Sequence, residues 1–175
     1  YFLARLSPDM PKRISVEIVA DVASSFINTF WNTYGFFVLY ARLDEVDVSK
    51  HVPVEARPEI DRWALALAHR TITTVTNALD DYDAKTAGEA IESFIDQLSN
   101  WYVRRNRRRF WKSTDLDDKH MAYLTLYECL KVAHELMAPF VPFLAEHVYQ
   151  NLVRSVDPEA PDSVHMVPWP EADPT

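Results

Sequence analysis

The apolar positions of the chain recur at helical spacing in five successive runs. Within each run an apolar residue returns every three or four positions, which places one face against a core. The runs cover about 15–41, 58–79, 86–111, 117–137 and 142–153. Short connections between such helices favour antiparallel neighbours. The pattern therefore predicts an all-α fold, an antiparallel bundle of four long helices plus a short fifth.

Residues at the helix starts support these limits. Ser15 is a candidate N-cap for the first helix, and Pro58 suits the first turn of the second. Thr86 with Glu89 three residues later has the form of a capping box, although Asp83 could start the third helix earlier. The ends carry several prolines. We therefore predict a domain over 15–155, between a lead-in segment at 1–14 and a proline-rich exit segment at 156–175.

The side chains expected to face the core are mostly large and apolar. In the first three helices they are Ile18, Val22, Phe26, Phe30, Phe37 and Tyr40, then Ile60, Trp63, Leu67, Ile72, Val75 and Leu79, then Ile91, Phe94, Ile95, Leu98, Trp101 and Tyr102. In the fourth they include Leu124, Tyr127, Leu130 and Val132.

Composition narrows the class of protein. Two glycines among 175 residues argue against hairpin-rich folds and glycine-rich phosphate loops. The one cysteine, Cys129, excludes an intrachain disulfide, fits a reducing compartment and is predicted to be a small buried hydrophobe. No apolar run approaches the ~20 residues of a membrane span. We therefore expect a cytoplasmic protein with no membrane partner.

Positive charge is concentrated in one short segment of an acidic chain. The formal net charge is −8, yet residues 104–112 hold five arginines and one lysine and no acid. This segment contributes +6, so the rest of the chain sums to −14. Trp101 and Tyr102 lie just before this segment, and Phe110 and Trp111 lie within it. Cations that bind phosphates, together with rings that stack on bases, are typical of surfaces that bind single-stranded nucleic acid.

The arginines fall into two groups on a helical wheel of ~100° per residue. Arg105 and Arg109 continue the apolar stripe, so we expect them either to pair with carboxylates of the bundle or to contact RNA. Arg104, Arg107 and Arg108 point to the flank and away from the stripe. The candidate RNA-binding side chains are Arg104, Arg107, Arg108, Lys112, Trp101 and Trp111.

A structural interpretation of the same segment stays open at this point. Five neighbouring guanidinium groups could form salt bridges with acids of the bundle, and Asp80, Asp81 and Asp83 are possible partners. In that case the chain would be a helical protein-interaction scaffold with a structural arginine network.

Five stretches resemble one known family. L-S-N-W-Y-V-R-R-N-R-R-R-F-W at 98–111 resembles a helix of the anticodon-binding domain of isoleucyl-tRNA synthetase, a class I enzyme. W-N-T-Y-G-F-F at 31–37, E-I-D-R-W at 59–63 and L-M-A-P-F-V-P-F-L-A-E-H-V-Y-Q-N-L at 136–152 resemble other helices of that domain. S-V-H-M-V-P-W-P at 163–170 resembles its exit strand. The valyl and leucyl enzymes share the bundle and the D-R-W entry, and remain an alternative.

The resemblance implies a bundle that grips the anticodon stem-loop of the tRNA for isoleucine. A longer parent enzyme would use ATP to charge that tRNA, and its catalytic and editing domains would be neighbours of this monomeric domain. ATP, Mg²⁺ and any zinc-binding segment of the family would belong to the parent, outside this chain.

Nothing in the sequence predicts catalysis by this chain alone. The H-I-G-H-type and K-M-S-K-S-type motifs with which class I synthetases bind ATP do not occur. His134-Glu135 begins like a zinc-binding H-E-x-x-H helix, but Ala138 stands where the second histidine is needed. We therefore predict no catalytic residue, no metal ligand and no cofactor in this chain.

Overall fold

The computed structural model describes residues 15–173, and these form a helical bundle. Seven α-helices are present in this part of the chain: α1 (Val16–Val22), α2 (Asn28–Leu43), α3 (Glu59–Asp80), α4 (Ala84–Gln97), α5 (Arg104–Trp111), α6 (Leu116–Met137) and α7 (Pro142–Tyr149). π-helical turns join α1 to α2 (Ala23–Ile27), join α4 to α5 (Leu98–Val103) and follow α7 (Gln150–Arg154). Short 3₁₀ turns lie at Val54–Ala56 and Val164–Met166.

The predicted all-α class is confirmed, with a different helix count. The described residues contain no strand, and the predicted runs correspond to α1–α2, α3, α4–α5, α6 and α7. Two long runs are divided because a π turn closes hydrogen bonds from residue i to i+5 and accommodates one extra residue. The predicted lead-in at 1–14 lies outside the described residues. The limits of the bundle and of the exit segment stay predictions.

Acidic caps fix the starts of two helices. The Asp83 carboxylate accepts a hydrogen bond from the Thr86 backbone N–H at 3.0 Å, so the helix begins earlier than a Thr86 capping box would start it. Asp115 caps α6 by accepting from the N–H groups of Asp117 and Asp118 at 3.1 and 3.0 Å. Ser15 caps α1 as predicted, and Pro58 stands at the N-cap of α3 rather than inside its first turn.

Helix α3 packs against both α4 and α6, and the core lies between these helices and α2. Two parts of the predicted stripes are wrong. Helix α1 has no buried residue, so the predicted core positions Ile18 and Val22 are both wrong. Trp63 and Trp101 are 36% and 53% exposed. Trp63 lies in the first turns of α3, at the edge of the bundle.

The loop before α3 is held by a buried arginine that the sequence analysis did not identify. Arg57 is 3% exposed and forms a bidentate ion pair with Glu128 of α6, at 2.6 and 2.9 Å. It also donates to Thr125 Oγ1 and to the Val52 carbonyl oxygen. Because its bonds reach both the loop and α6, this side chain fixes the start of α3 against α6.

The segment that resembles an exit strand is not a strand in this structure. Glu146 Oε2 accepts hydrogen bonds from Ser163 Oγ and the Val164 N–H, both at 2.9 Å, and Val164 is buried. Trp169 Nε1 donates to Thr76 Oγ1 at 2.8 Å. A strand needs a neighbouring strand for its backbone hydrogen bonds. The bundle offers side chains instead, so the segment lies against it through single contacts.

Candidate nucleic-acid interface

One arginine of the cluster is anchored inside the bundle. Arg109 of α5 forms a bidentate pair with Asp61 of α3, at 2.6 and 2.9 Å. Asp61 is fully buried and also accepts a hydrogen bond from the Tyr102 hydroxyl at 2.8 Å. Asp118 accepts from Arg109 Nε at 3.0 Å. These contacts tie α5 to both α3 and α6, so Arg109 is structural.

The electrostatics of this network follow from burial. Burial raises the pKa of Tyr102 well above its ordinary value, and the negative charge of Asp61 raises it further. Burial alone would lower the pKa of Arg109, but its hydrogen bonds to Asp61 and Asp118 raise it instead. The network is therefore a neutral tyrosine and a permanent guanidinium cation bonded to carboxylates.

The π turn at Leu98–Val103 changes which residues of α5 face the core. An extra residue in a helix shifts everything after it by about 100° around the axis. The buried positions of α5 are accordingly Asn106 and Phe110, and not the Arg105 position expected from an unbroken helix. Asn106 Nδ2 donates to the Tyr102 carbonyl oxygen at 2.8 Å. Arg105 is exposed and lies over the Trp101 ring, 5.5 Å from its centroid.

The other predicted cations lie at the surface. Arg104, Arg107, Arg108 and Lys112 are exposed, and none forms an ion pair with any residue between 15 and 173. Together with Arg105 they make five cationic side chains around one end of a helix. We call this group, with Trp101 and Trp111, the α5 cationic surface.

The two predicted tryptophans frame this surface. Trp111 is 47% exposed, packs edge-on against Tyr40 at 6.1 Å and has the Arg107 guanidinium 6.0 Å from its ring centroid. Trp101 has no ring contact with another aromatic residue of the described part. Each indole therefore has an arginine guanidinium group close to its ring, and part of the ring remains exposed.

The acids proposed as partners in the structural interpretation do not fill that role. Asp83 caps α4, and neither Asp80 nor Asp81 forms an ion pair within the described residues. They lie where α3 passes into α4, whereas the arginines lie at the far end of the α4–α5 helix. At 1.5 Å per residue, the twenty or so residues between them span roughly 30 Å.

Sequence analysis gave three residues of this region no role in the site, and it placed one of them, Trp63, in the core. Asp61 and Asp118 hold Arg109, and Trp63 lies beside Trp101. For Asp61 a signal was present, because it falls on the buried stripe of α3 with Ala64 and Ala68. A carboxylate at such a position needs a buried cationic partner.

A shallow cleft adjoins the α5 cationic surface. It measures about 300 Å³ and is lined by Glu59, Ile60, Trp63, Trp101 and Arg105. A second cavity of about 320 Å³ lies between the end of α2 and the turn after α7, and Arg42 and Glu45 are its charged side chains.

Within residues 15–173 no cluster of three or more His, Cys, Asp or Glu residues could hold a metal ion. Nor does this part of the chain contain a helix with the length and apolar character needed to cross a bilayer.

The His134-Glu135 pair is buried and has no metal-binding geometry. His134 Nδ1 lies 3.0 Å from the Leu130 carbonyl oxygen, whereas its Nε2 has no hydrogen-bond partner among the described residues. Burial lowers the pKa of His134 to about 4. Burial also raises the pKa of Glu135 to about 7.

These two shifts predict opposing effects of pH on stability. As pH falls from 6.5 to 4.5, the unfolded chain protonates its histidine and folded His134 stays neutral, which favours unfolding. Over the same window folded Glu135 is protonated and the unfolded glutamate is not, which favours folding. The two contributions therefore have opposite signs in the native sequence. We expect Glu135→Gln to remove the second one, so the variant should lose about 2 kcal/mol more than the native chain across this window.

The measurement is urea unfolding at several pH values between 4.5 and 6.5. Glu159→Gln, which removes an exposed carboxylate on the loop after α7, is the control and should follow the native chain. Parallel pH profiles for Glu135→Gln and the native chain would contradict the prediction.

Comparison with known families agrees with this geometry. The profile of the family described as the anticodon-binding domain of tRNA ligase matches residues 61–175, and the chain belongs to that family. Isoleucine–tRNA ligase of Thermus thermophilus is 50% identical over 175 residues, covering 99% of this chain and 17% of that protein. The enzyme of the same name from Deinococcus radiodurans is 48% identical over 170 residues, covering 97% of this chain and 15% of that protein.

A third relative, isoleucine–tRNA ligase of Dehalococcoides mccartyi, is 46% identical over 173 residues, with 99% of this chain and 17% of that protein covered. The resemblance to the isoleucyl anticodon-binding domain is therefore confirmed along the whole chain. The chain spans about a sixth of the length of these curated relatives.

Proposed function

We propose that this bundle binds the anticodon stem-loop of the tRNA for isoleucine through the α5 cationic surface. The observation that carries the proposal is the set of five exposed cations, unpaired within residues 15–173, that surround one helix end of an otherwise acidic domain. Guanidinium groups suit this partner because they bind phosphate in a bidentate manner and also stack on bases. Trp101 and Trp111 supply exposed rings next to those cations.

The domain would serve a longer isoleucine–tRNA ligase that performs the ATP-dependent charging reaction. ATP, Mg²⁺ and any zinc would be bound by other parts of that enzyme. The exposed apolar residues of α1, such as Val16 and Val19, support packing against neighbouring catalytic or editing domains. We propose that it acts in the cytoplasm, as part of a monomer.

The alternative of a scaffold with a structural arginine network has support for one position only. Arg109 is bonded to bundle carboxylates, but the five cations of the α5 cationic surface are not. A scaffold would therefore need an external acidic protein to bind them. The tryptophans favour RNA over such a partner, because every base offers a face for stacking.

The test is a fluorescence-anisotropy titration of this chain with an isoleucine anticodon stem-loop at two salt concentrations. A stem-loop with a changed anticodon is titrated in parallel. We expect binding that weakens with salt, because each phosphate contact on a single strand releases counterions. Preference for the cognate loop would mean that the bundle reads the anticodon. Absence of binding at low salt would contradict the proposed function.

A further inference from the structure

The cleft beside the α5 cationic surface has the composition of a site for one flat, polar group. Trp63 comes from the start of α3 and Trp101 from the π turn, so two separate elements supply its indoles. Both rings are partly exposed, although large apolar side chains elsewhere in these helices are buried. The two rings do not stack on each other, and within the described residues neither packs on another aromatic side chain.

The two ends of the cleft carry side chains of opposite charge. The Arg105 guanidinium lies over the Trp101 ring, 5.5 Å from its centroid, and Arg104 and Arg108 are exposed on the same helix. Glu59, in the first turn of α3, lines the cleft as well. A ligand that satisfies both ends must present negative charge towards α5 and hydrogen-bond donors towards Glu59.

We propose that this cleft holds a single unstacked nucleobase of the bound RNA loop, with Glu59 facing its Watson–Crick edge. The inference rests on the proposed function. The base would lie against the indoles of Trp63 and Trp101, and its phosphates would meet the cations of α5. Single-stranded RNA is recognised in this manner because its loop bases can turn outwards and stack on aromatic side chains.

Glu59 would make the site selective among bases. An ionised carboxylate only accepts hydrogen bonds. Adenine, cytosine and guanine each present an amino group on the Watson–Crick edge, whereas uracil presents one N–H between two carbonyl oxygens. Uracil could donate only that one N–H to Glu59. Its flanking carbonyl oxygens would then lie against the negatively charged carboxylate with no proton between them. The cleft should therefore accept amino-bearing bases and disfavour uracil.

The test uses anticodon stem-loops that carry the fluorescent base 2-aminopurine at one loop position at a time. Stacking on an indole quenches this base, so one position should be quenched on binding to the native chain. Trp63→Ala and Trp101→Ala should each remove that quenching and weaken binding by about 5- to 100-fold. Trp31→Ala, which removes a 42% exposed indole on α2, is the matched control and should change neither signal.

A second arm tests the role of Glu59. With uracil at the quenched position, the native chain should bind less tightly than with cytosine, and Glu59→Gln should reduce that difference because an amide also donates. Glu55→Gln, at a nearby exposed carboxylate, should keep it. Thermal unfolding of every variant shows whether a loss comes from misfolding, and Trp63→Phe replaces Trp63→Ala if the latter unfolds.

The outcomes separate this inference from the proposed function. If RNA binds and depends on Arg104, Arg107 and Arg108, yet neither tryptophan variant changes quenching or affinity, the cleft inference is wrong and the function stands. If the native chain does not bind the stem-loop at low salt, both are wrong.

Discussion

Replacing Arg109 by alanine is expected to lower the free energy of unfolding by about 3–5 kcal/mol, the usual cost of removing one partner from a buried ion pair. The variant leaves Asp61 fully buried without its cation and Asp118 without its partner. It also removes the ion pairs that join α5 to α3 and α6. For a chain of this size such a loss lowers the melting temperature by roughly 6–20 °C.

Urea unfolding of Arg109→Ala, compared with Arg105→Ala, measures this effect. Arg105 is the matched control because it belongs to the same cluster but lies at the surface on Trp101. Surface substitutions usually stay within about 0.5 kcal/mol. A cycle with Asp61→Ala adds a second check, since the double variant should lose less than the sum of the two single variants. Equal stability of Arg105→Ala and Arg109→Ala would refute the structural role of Arg109.

Simultaneous replacement of Arg104, Arg107 and Arg108 by alanine is expected to weaken binding of the anticodon stem-loop about 100-fold at roughly 0.1 M salt. Each phosphate contact on a single strand contributes about 0.7 to the slope of log affinity against log salt. Three lost contacts should therefore make that slope shallower by about 2. The folded bundle should be unaffected, because these side chains are exposed and unpaired within the described residues.

The control is a variant with the same change in net charge at other positions. Arg70, Lys85 and Lys131 lie away from α5 on α3, α4 and α6. Their replacement by alanine should leave the salt slope nearly unchanged, because the effect depends on contacts and not on total charge. If both triple variants weaken binding equally, the charge of the whole domain governs binding and the α5 cationic surface has no special role.

Most of the fold could be predicted from helical periodicity. Apolar residues spaced like Ile91, Phe94, Ile95 and Leu98 share one face of an α-helix but not of a β-strand. Periodicity failed where the helix itself is irregular. The sequence L-S-N-W-Y-V does not show that this turn is π-helical and contains one more residue than an α-helical turn. That extra residue decides whether Arg105 or Asn106 faces the core.

The candidate site was foreseen as a charged and aromatic segment, but not as an assembly. Its other members come from distant parts of the chain, since Asp61 and Trp63 begin α3 and Asp118 begins α6. All five tryptophans are exposed, although Trp63 and Trp101 fall on the apolar stripes that were predicted to face the core. Trp63 has the apolar character of a core residue, but it lies near the start of α3 and is 36% exposed.

The π turn at Leu98–Val103 also limits how roles can be carried from one relative to another. A sequence alignment compares columns, whereas the face on which an arginine lies depends on how the preceding turn is wound. A relative that lacked one residue here could straighten into a regular helix, and its later arginines would then rotate by about 100°. Arginines at the same sequence positions would then face different neighbouring residues. Two chains with identical arginine motifs are therefore functionally equivalent at these positions only when they share this irregular turn.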